Sequence, residues 1–230
     1  MRKWLLAVLS VSFGCISLLL FGITVGCQCL LLRPHPGREG DAAAAFPMVV
    51  EDTPLLALGL MPYEGPFWEA GTAAAVVNTA ALLVENTGGE FVSCGAVVLQ
   101  WGETTLVFEL YVLPPGEKVL VLEKDCQVLP ETLPDRCYGW SRGEYPEHTG
   151  GITVEDAGGV TMAVVNNGSD RVPLVQICYK TRNRDSGVFL GGIAYTVEVK
   201  NLRPGERRLL SPFRYVCGNS EVVRIQTFPE

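Results

Sequence analysis

The chain has 230 residues, 48 % of them hydrophobic, and a formal net charge of −7 from 18 Lys and Arg against 25 Asp and Glu. The length suits one large or two small domains with packed cores, and a charge this small and negative excludes a general nucleic-acid binder. The only two histidines, His35 and His148, lie in Pro-rich stretches, and the five cysteines beyond residue 32 form no C-x-x-C. No cofactor, metal site or catalytic Ser-His arrangement is therefore expected.

The first element is a run without charge, Trp4 to Leu32, preceded by Arg2 and Lys3. As a helix its 29 residues would reach roughly 43 Å, more than the roughly 30 Å of a bilayer core. A cleavable signal carries a shorter apolar region, so residues 1–32 are read as a cytoplasmic tip and a retained transmembrane anchor, with the C-terminal bulk outside. Two features compete for attention inside it. "ITVGC" resembles a bacterial lipid-attachment site at Cys27, with Thr24 where an aliphatic residue is usual, and Gly22 and Gly26 carry the spacing that lets helices approach.

Residues 33–71 are rich in Pro, Gly and Ala with no sustained period, and read as a stalk. From residue 72 to 128 the texture changes to short runs rich in Val and Leu, bounded by Gly, Pro and Asn: "AAVVNTAALLVEN", "FVSCGAVVLQ", "TTLVFELYVL" and "KVLVLEKD". These are strands of a first β-domain. Residues 129–150, again Pro- and Gly-rich, read as a connector, and residues 151–230 as a second β-domain.

The second domain repeats the first. "VENTGGE" (Val84 to Glu90) aligns without gaps with "VVNNGSD" (Val164 to Asp170), and "LPPGEKVLV" at Leu113 with "LRPGERRLL" at Leu202. From Asn86 to Pro115 is 29 residues and from Asn166 to Pro204 is 38, so the second copy holds nine more, most simply a longer hairpin around "TRNRDSGVFLGG". In each P-G-E, Pro115 or Pro204 fixes the first corner of a β-turn and Gly116 or Gly205 accepts φ > 0 at the second, while Leu113 or Leu202 can plug the corner into the core.

The order Asn plus Gly/Ser turn, a strand ending in "YK", a loop, then "LRPGE" and a closing strand resembles the small immunoglobulin-like sandwiches of bacterial surface proteins, notably FxLYD-type domains. The resemblance covers residues 158–228 better than 72–128, and it implies a non-catalytic domain. The expected fold is all-β: two tandem small antiparallel β-sandwiches, Ig-like, after one N-terminal transmembrane helix.

Outside a membrane, cysteines are expected to form disulfides. Cys94–Cys126 with Cys178–Cys217 would be equivalent in the two copies and leave Cys137 over; Cys126–Cys137 would instead clip the connector; in a third scheme all stay reduced. Lys180, Arg182 and Arg184 fall in the longer hairpin, and Arg203, Arg207 and Arg208 flank the second P-G-E. They are either solvated hairpin tips or contacts to an anionic surface such as a wall polymer or lipid headgroups. Asn167-Gly168-Ser169 fits a glycosylation sequon, and equally a strand-joining turn.

These features predict a non-enzymatic, membrane-anchored, extracytoplasmic binding or structural protein of the cell envelope, partnered by the membrane and by an unidentified protein or envelope polymer. The alternative is an accessory subunit or sensor ectodomain of a membrane complex.

Overall fold

The Val-, Leu- and Thr-rich runs all become strands, because β-branched and apolar side chains pack well on a pleated surface and the intervening Gly, Pro and Asn supply the turns. The computed structural model describes residues 46–66, 74–143 and 151–228. The segment Trp4–Leu32, expected from the sequence to be an anchor, and Cys15, Cys27, Cys29, His35 and His148 lie outside the described residues. Among the described residues there is no helix, and the strands are β1 (Met48–Val49), β2 (Leu55–Pro66), β3 (Ala75–Asn86), β4 (Val92–Trp101), β5 (Thr104–Leu113), β6 (Lys118–Leu122), β7 (Arg136–Arg142), β8 (Ile152–Asp156), β9 (Met162–Asn166), β10 (Val172–Arg182), β11 (Phe189–Leu202), β12 (Arg207–Leu210) and β13 (Ser220–Phe228).

Two of the sequence boundaries shift. Leu55–Pro66, placed in the stalk by composition, pairs with β3 along its whole length, from Leu55↔Asn86 to Pro66↔Ala75. Leu55 and Ala57 alternate into the core, which a Pro- and Gly-rich composition hid. Arg136–Arg142, placed in the connector, is likewise a strand paired with β4 from Leu99↔Cys137 to Cys94↔Arg142.

The strands form three sheets. A seven-stranded sheet runs β1-β2-β3-β6-β11-β10-β13, and two three-stranded sheets run β5-β4-β7 and β12-β9-β8. The connectivity repeats. β2, β3 and β6 are arranged as β8, β9 and β12, and β5, β4 and β7 as β11, β10 and β13. Each half therefore closes a hydrophobic cluster between two such triplets. The first cluster is centred on Leu82, Val84, Val97, Leu99, Phe108 and Val121; the second is centred on Met162, Val164, Val175, Ile177, Tyr179 and Val199.

The halves are not beads on a string. A triplet of the first half and a triplet of the second share the seven-stranded sheet, joined where β6 pairs parallel with β11 at Val119↔Phe189 and Leu120↔Leu190. Those two β11 residues belong to the hairpin extension created by the nine additional residues. The chain thus uses its insertion to weld the halves edge to edge.

Candidate functional site

The recurring P-G-E strings are corners, and each is tied to the Asn turn of its own half. In the first half Glu117 N–H donates to Pro114 O (3.2 Å) and Gly116 N–H to Asn86 O (2.8 Å), with Gly116 at φ 72°. Asn86 is fully buried; its Nδ2 donates to Glu90 O (2.8 Å) and Leu113 O (3.0 Å), and its Oδ1 accepts from Gly88 N–H (3.0 Å). Asn166 repeats every contact. Its Nδ2 donates to Asp170 O (2.8 Å) and Leu202 O (3.2 Å), its Oδ1 accepts from Gly168 N–H (2.9 Å), and Gly205 N–H, at φ 69°, donates to Asn166 O. A buried amide must satisfy its donors and acceptor, so one Asn fixes two turns at once. The turns are visible in the sequence, but that one side chain joins them is not. Asn167 of the sequon has its amide on Thr153 Oγ1 (2.9 Å) in this turn.

The cations of the second half do not form one surface. Lys180, expected at a solvated hairpin tip, is fully buried. Its Nζ donates to Tyr111 O (2.9 Å), Gly192 O (3.2 Å) and Ile193 O (3.1 Å). It is corrected from a surface contact to a tie between β5 and β10, because the strands of the other half cover it. Arg182 is drawn in as well: it bonds Glu117 (3.0 Å) of the first P-G-E corner and Glu221 (2.7 Å) of β13, and its guanidinium lies 4.0 Å from the centre of the Phe189 ring. Burial opposes its charge, but the Glu117 hydrogen bond and the two carboxylates outweigh that, and its pKa is raised. Arg184 reaches Gly218 O (3.3 Å) and Cys217 O (3.2 Å) from an exposed position. Arg207 lies 3.9 Å from Glu155. Arg208 bonds Glu206 and Lys200 O; the Arg203 N–H and the Arg208 guanidinium hold Glu206 below its ordinary carboxylate range.

The repeat-equivalent disulfides are not formed, since Cys94, Cys178 and Cys217 are thiols. The strand pleat explains why. Cys178 points from β10 into the first cluster, whereas Cys217 packs on the second cluster on the other face of that sheet. Cys94 sits on β4 opposite Tyr111 and Arg142, on the face away from Val97 and Leu99, while Cys126 is exposed in the turn after β6. Cys137, the candidate partner in the connector scheme, is a buried thiol whose pKa burial and the Glu51 charge push up to about 11.

One face of β5-β4-β7 was not anticipated. Register places Ala96 between Glu109 and Trp140, Val98 between Val107 and Tyr138, and Gln100 between Thr105 and Arg136. This is the outer face, because Val97 and Leu99 point the other way into the core. Trp140 is 51 % and Tyr111 43 % exposed, and Arg136 stacks 5.3 Å over the Tyr138 ring. Such a face offers rigid aromatic anchors with guanidinium and amide groups beside them, the composition of contact surfaces. The signal for it was the continuous apolar run "CGAVVLQ", which lacks the alternation of a strand with one wet face.

A separate cleft of about 480 Å³ lies beside the first Asn turn, between Pro54, Glu90, Phe91 and Ser141; among the described residues Glu90 is the one ionisable group of its lining. No protein-family profile and no curated protein matches the chain.

Proposed function

We propose that the protein is a non-enzymatic, membrane-anchored, extracytoplasmic binding protein of the cell envelope, each half an immunoglobulin-like sandwich of the FxLYD kind. The two halves act as one rigid body that presents the outer face of β5-β4-β7 to a protein or envelope-polymer partner. What carries the reading is Trp140, half exposed at the edge of a mixed aromatic and polar sheet face beside a welded, seven-stranded sheet. Large aromatics left exposed on rigid strands contribute contact area at little cost in conformational entropy.

Two measurements test it. In intact spheroplasts, a membrane-impermeant maleimide is expected to label a Glu103→Cys variant above the parent background, since Glu103 is exposed in the β4–β5 turn. Labelling that requires lysis removes the extracytoplasmic placement. A photoreactive residue at position 140 is expected to crosslink a partner that one at the outward Glu64 does not; equal adducts from both positions remove the face as the site.

A further inference from the structure

The outer face of β5-β4-β7 is built in rows, and three successive rows each carry one aromatic ring. Tyr111 stands beside Cys94, Trp140 beside Ala96 and Tyr138 beside Val98. Rows on one face of a strand lie two residues, about 6.6 Å, apart. The central strand carries the small side chains and its neighbours the large ones, so the face is a shallow trough. Ala96 on its floor is 4 % exposed, while Trp140 and Tyr111, on opposite sides, are 51 % and 43 % exposed. From Cys94 to Gln100 the trough runs about 20 Å, and it spans two strand spacings, about 10 Å.

The charges across this face cancel. Arg136 pairs with Glu51 at 3.3 Å and braces the Tyr138 ring, and Glu109 and Arg142 stand on opposite sides of β4 in adjacent rows. Donors and acceptors are therefore both on offer without a net field to attract a polyanion. An extended peptide finds no strand edge to join. On β5, Val107 N–H donates to Glu123 Oε1 (3.3 Å), Val107 O accepts from Lys124 N–H (3.1 Å) and Tyr111 O accepts from Lys180. On β7, Tyr138 bridges to Glu51. Strand addition needs such an edge open.

A chain of β-linked pyranose rings meets each of these features. Its rings recur, lay apolar C–H faces on aromatic rings, carry hydroxyls that both donate and accept, and need no charge partner. We propose that the trough binds an extended, uncharged β-1,4-linked polysaccharide strand, with Trp140 as the central stacking platform, Tyr111 and Tyr138 as the platforms beside it, and Glu109, Gln100 and Arg142 as the hydroxyl contacts. The proposal deepens the reading of this face as the contact surface and rests on it.

The test titrates the full chain in detergent micelles with cellohexaose, chitohexaose and the α-linked maltohexaose, read by calorimetry and tryptophan fluorescence. At least one β-linked hexamer is expected to bind about tenfold or more tightly than maltohexaose, with an affinity unchanged as salt is raised from about 0.05 to 0.5 M. Trp140→Ala and, separately, Val98→Arg, which fills the floor, are each expected to weaken binding about tenfold or more, with the urea midpoint showing an intact fold. Tyr111→Ala serves where Val98→Arg fails that control. Absence of binding by both β-linked hexamers, equal binding of maltohexaose, or binding that survives all three variants overturns the proposal. So does displacement of the sugar by polyphosphate at low salt alone, which would assign the face to a polyanion. The photoreactive residue at position 140 separates this proposal from the reading beneath it. Without sugar binding, a protein adduct made at 140 and absent at 64 sinks the polysaccharide alone; equal adducts, or none, at both positions sink the face as well.

Discussion

The central strands β4 and β10 occupy the same place in the repeat, and their outer faces differ in what they meet. The alignment that superposes Asn86 on Asn166 brings Val98 onto Cys178 and Gln100 onto Lys180. In the second half that face is covered: Cys178, Phe189 and Val223 join the first half's cluster, and Lys180 is buried under β5. In the first half the same face keeps Trp140 and Tyr111 exposed. The nine-residue extension accounts for the difference. It supplies Arg182, Phe189 and Leu190, which bind the neighbouring half by ion pair, packing and parallel pairing; β4 and β5 turn directly at Gly102 and Glu103 and have no counterpart. One duplicated module became a junction, and its twin was left with an open face.

The largest expected break in this contrast is Gly192→Val. A Cβ at 192 would lie 1.9 Å from the Glu109 carbonyl oxygen, a clash with backbone that no rotamer relieves. The expected loss exceeds about 4 kcal/mol, and a single urea transition should split or vanish; a midpoint close to the parent's would mean the halves are not packed this way. Next come Asn86→Ala and Asn166→Ala, each expected to cost about 2–4 kcal/mol, because each leaves buried carbonyls and an N–H without a partner. Similar losses at both sites are the signature of a true repeat, and a twofold disparity would argue that one turn is held by other contacts.

The Cys137 thiol provides a pH test confined to the first half. Its folded pKa of about 11 stands above the ordinary 9.0, so the unfolded chain releases its proton first as pH rises. Stability from this group is complete below pH 9 and is lost between 9 and 11, by about 2–3 kcal/mol. Chemical denaturation across that range should show the decline in the parent and a shallower one in Cys137→Ala. Lys180→Met is expected to cost about 1–3 kcal/mol by stranding the carbonyls of Tyr111, Gly192 and Ile193, whereas Gln100→Met at the equivalent open position should change stability by less than about 0.5 kcal/mol. The smallest thermodynamic effect belongs to Trp140→Ala, below about 1 kcal/mol in stability, yet it should remove the crosslink made from this face in a Tyr111 photoreactive variant. A large loss of stability instead would recast Trp140 as a cover for Ala96.

Much of the fold was legible because it is local. Pro114 to Glu117 and Arg203 to Glu206 are turns whose residues dictate their φ angles, and their recurrence with the Asn-x-Gly strings counts the repeats without any knowledge of packing. Strand identity failed where composition was dominated by Gly and Pro. Leu55–Pro66 contains Gly59, Pro62, Gly65 and Pro66, and β2 can hold them because it carries register shifts at Ala57/Gly59 and Tyr63/Gly65. The candidate surface was less legible. Charge is a property of composition, but exposure is not. Lys180 and Arg182 read as surface residues because Lys and Arg are seldom buried, and the element that covers them lies about seventy residues earlier in the chain.

The sequence by itself determined that this chain folds as repeated β-strands turning on Pro-Gly and Asn-Gly corners, because backbone torsion preferences act over four residues. Only the tertiary structure decided which copies of equivalent residues are buried. Val98 and Cys178, Gln100 and Lys180 differ in burial through the neighbour each one meets, and that neighbour is set by how a nine-residue hairpin extension joins two sheets, a long-range pairing that no local pattern encodes.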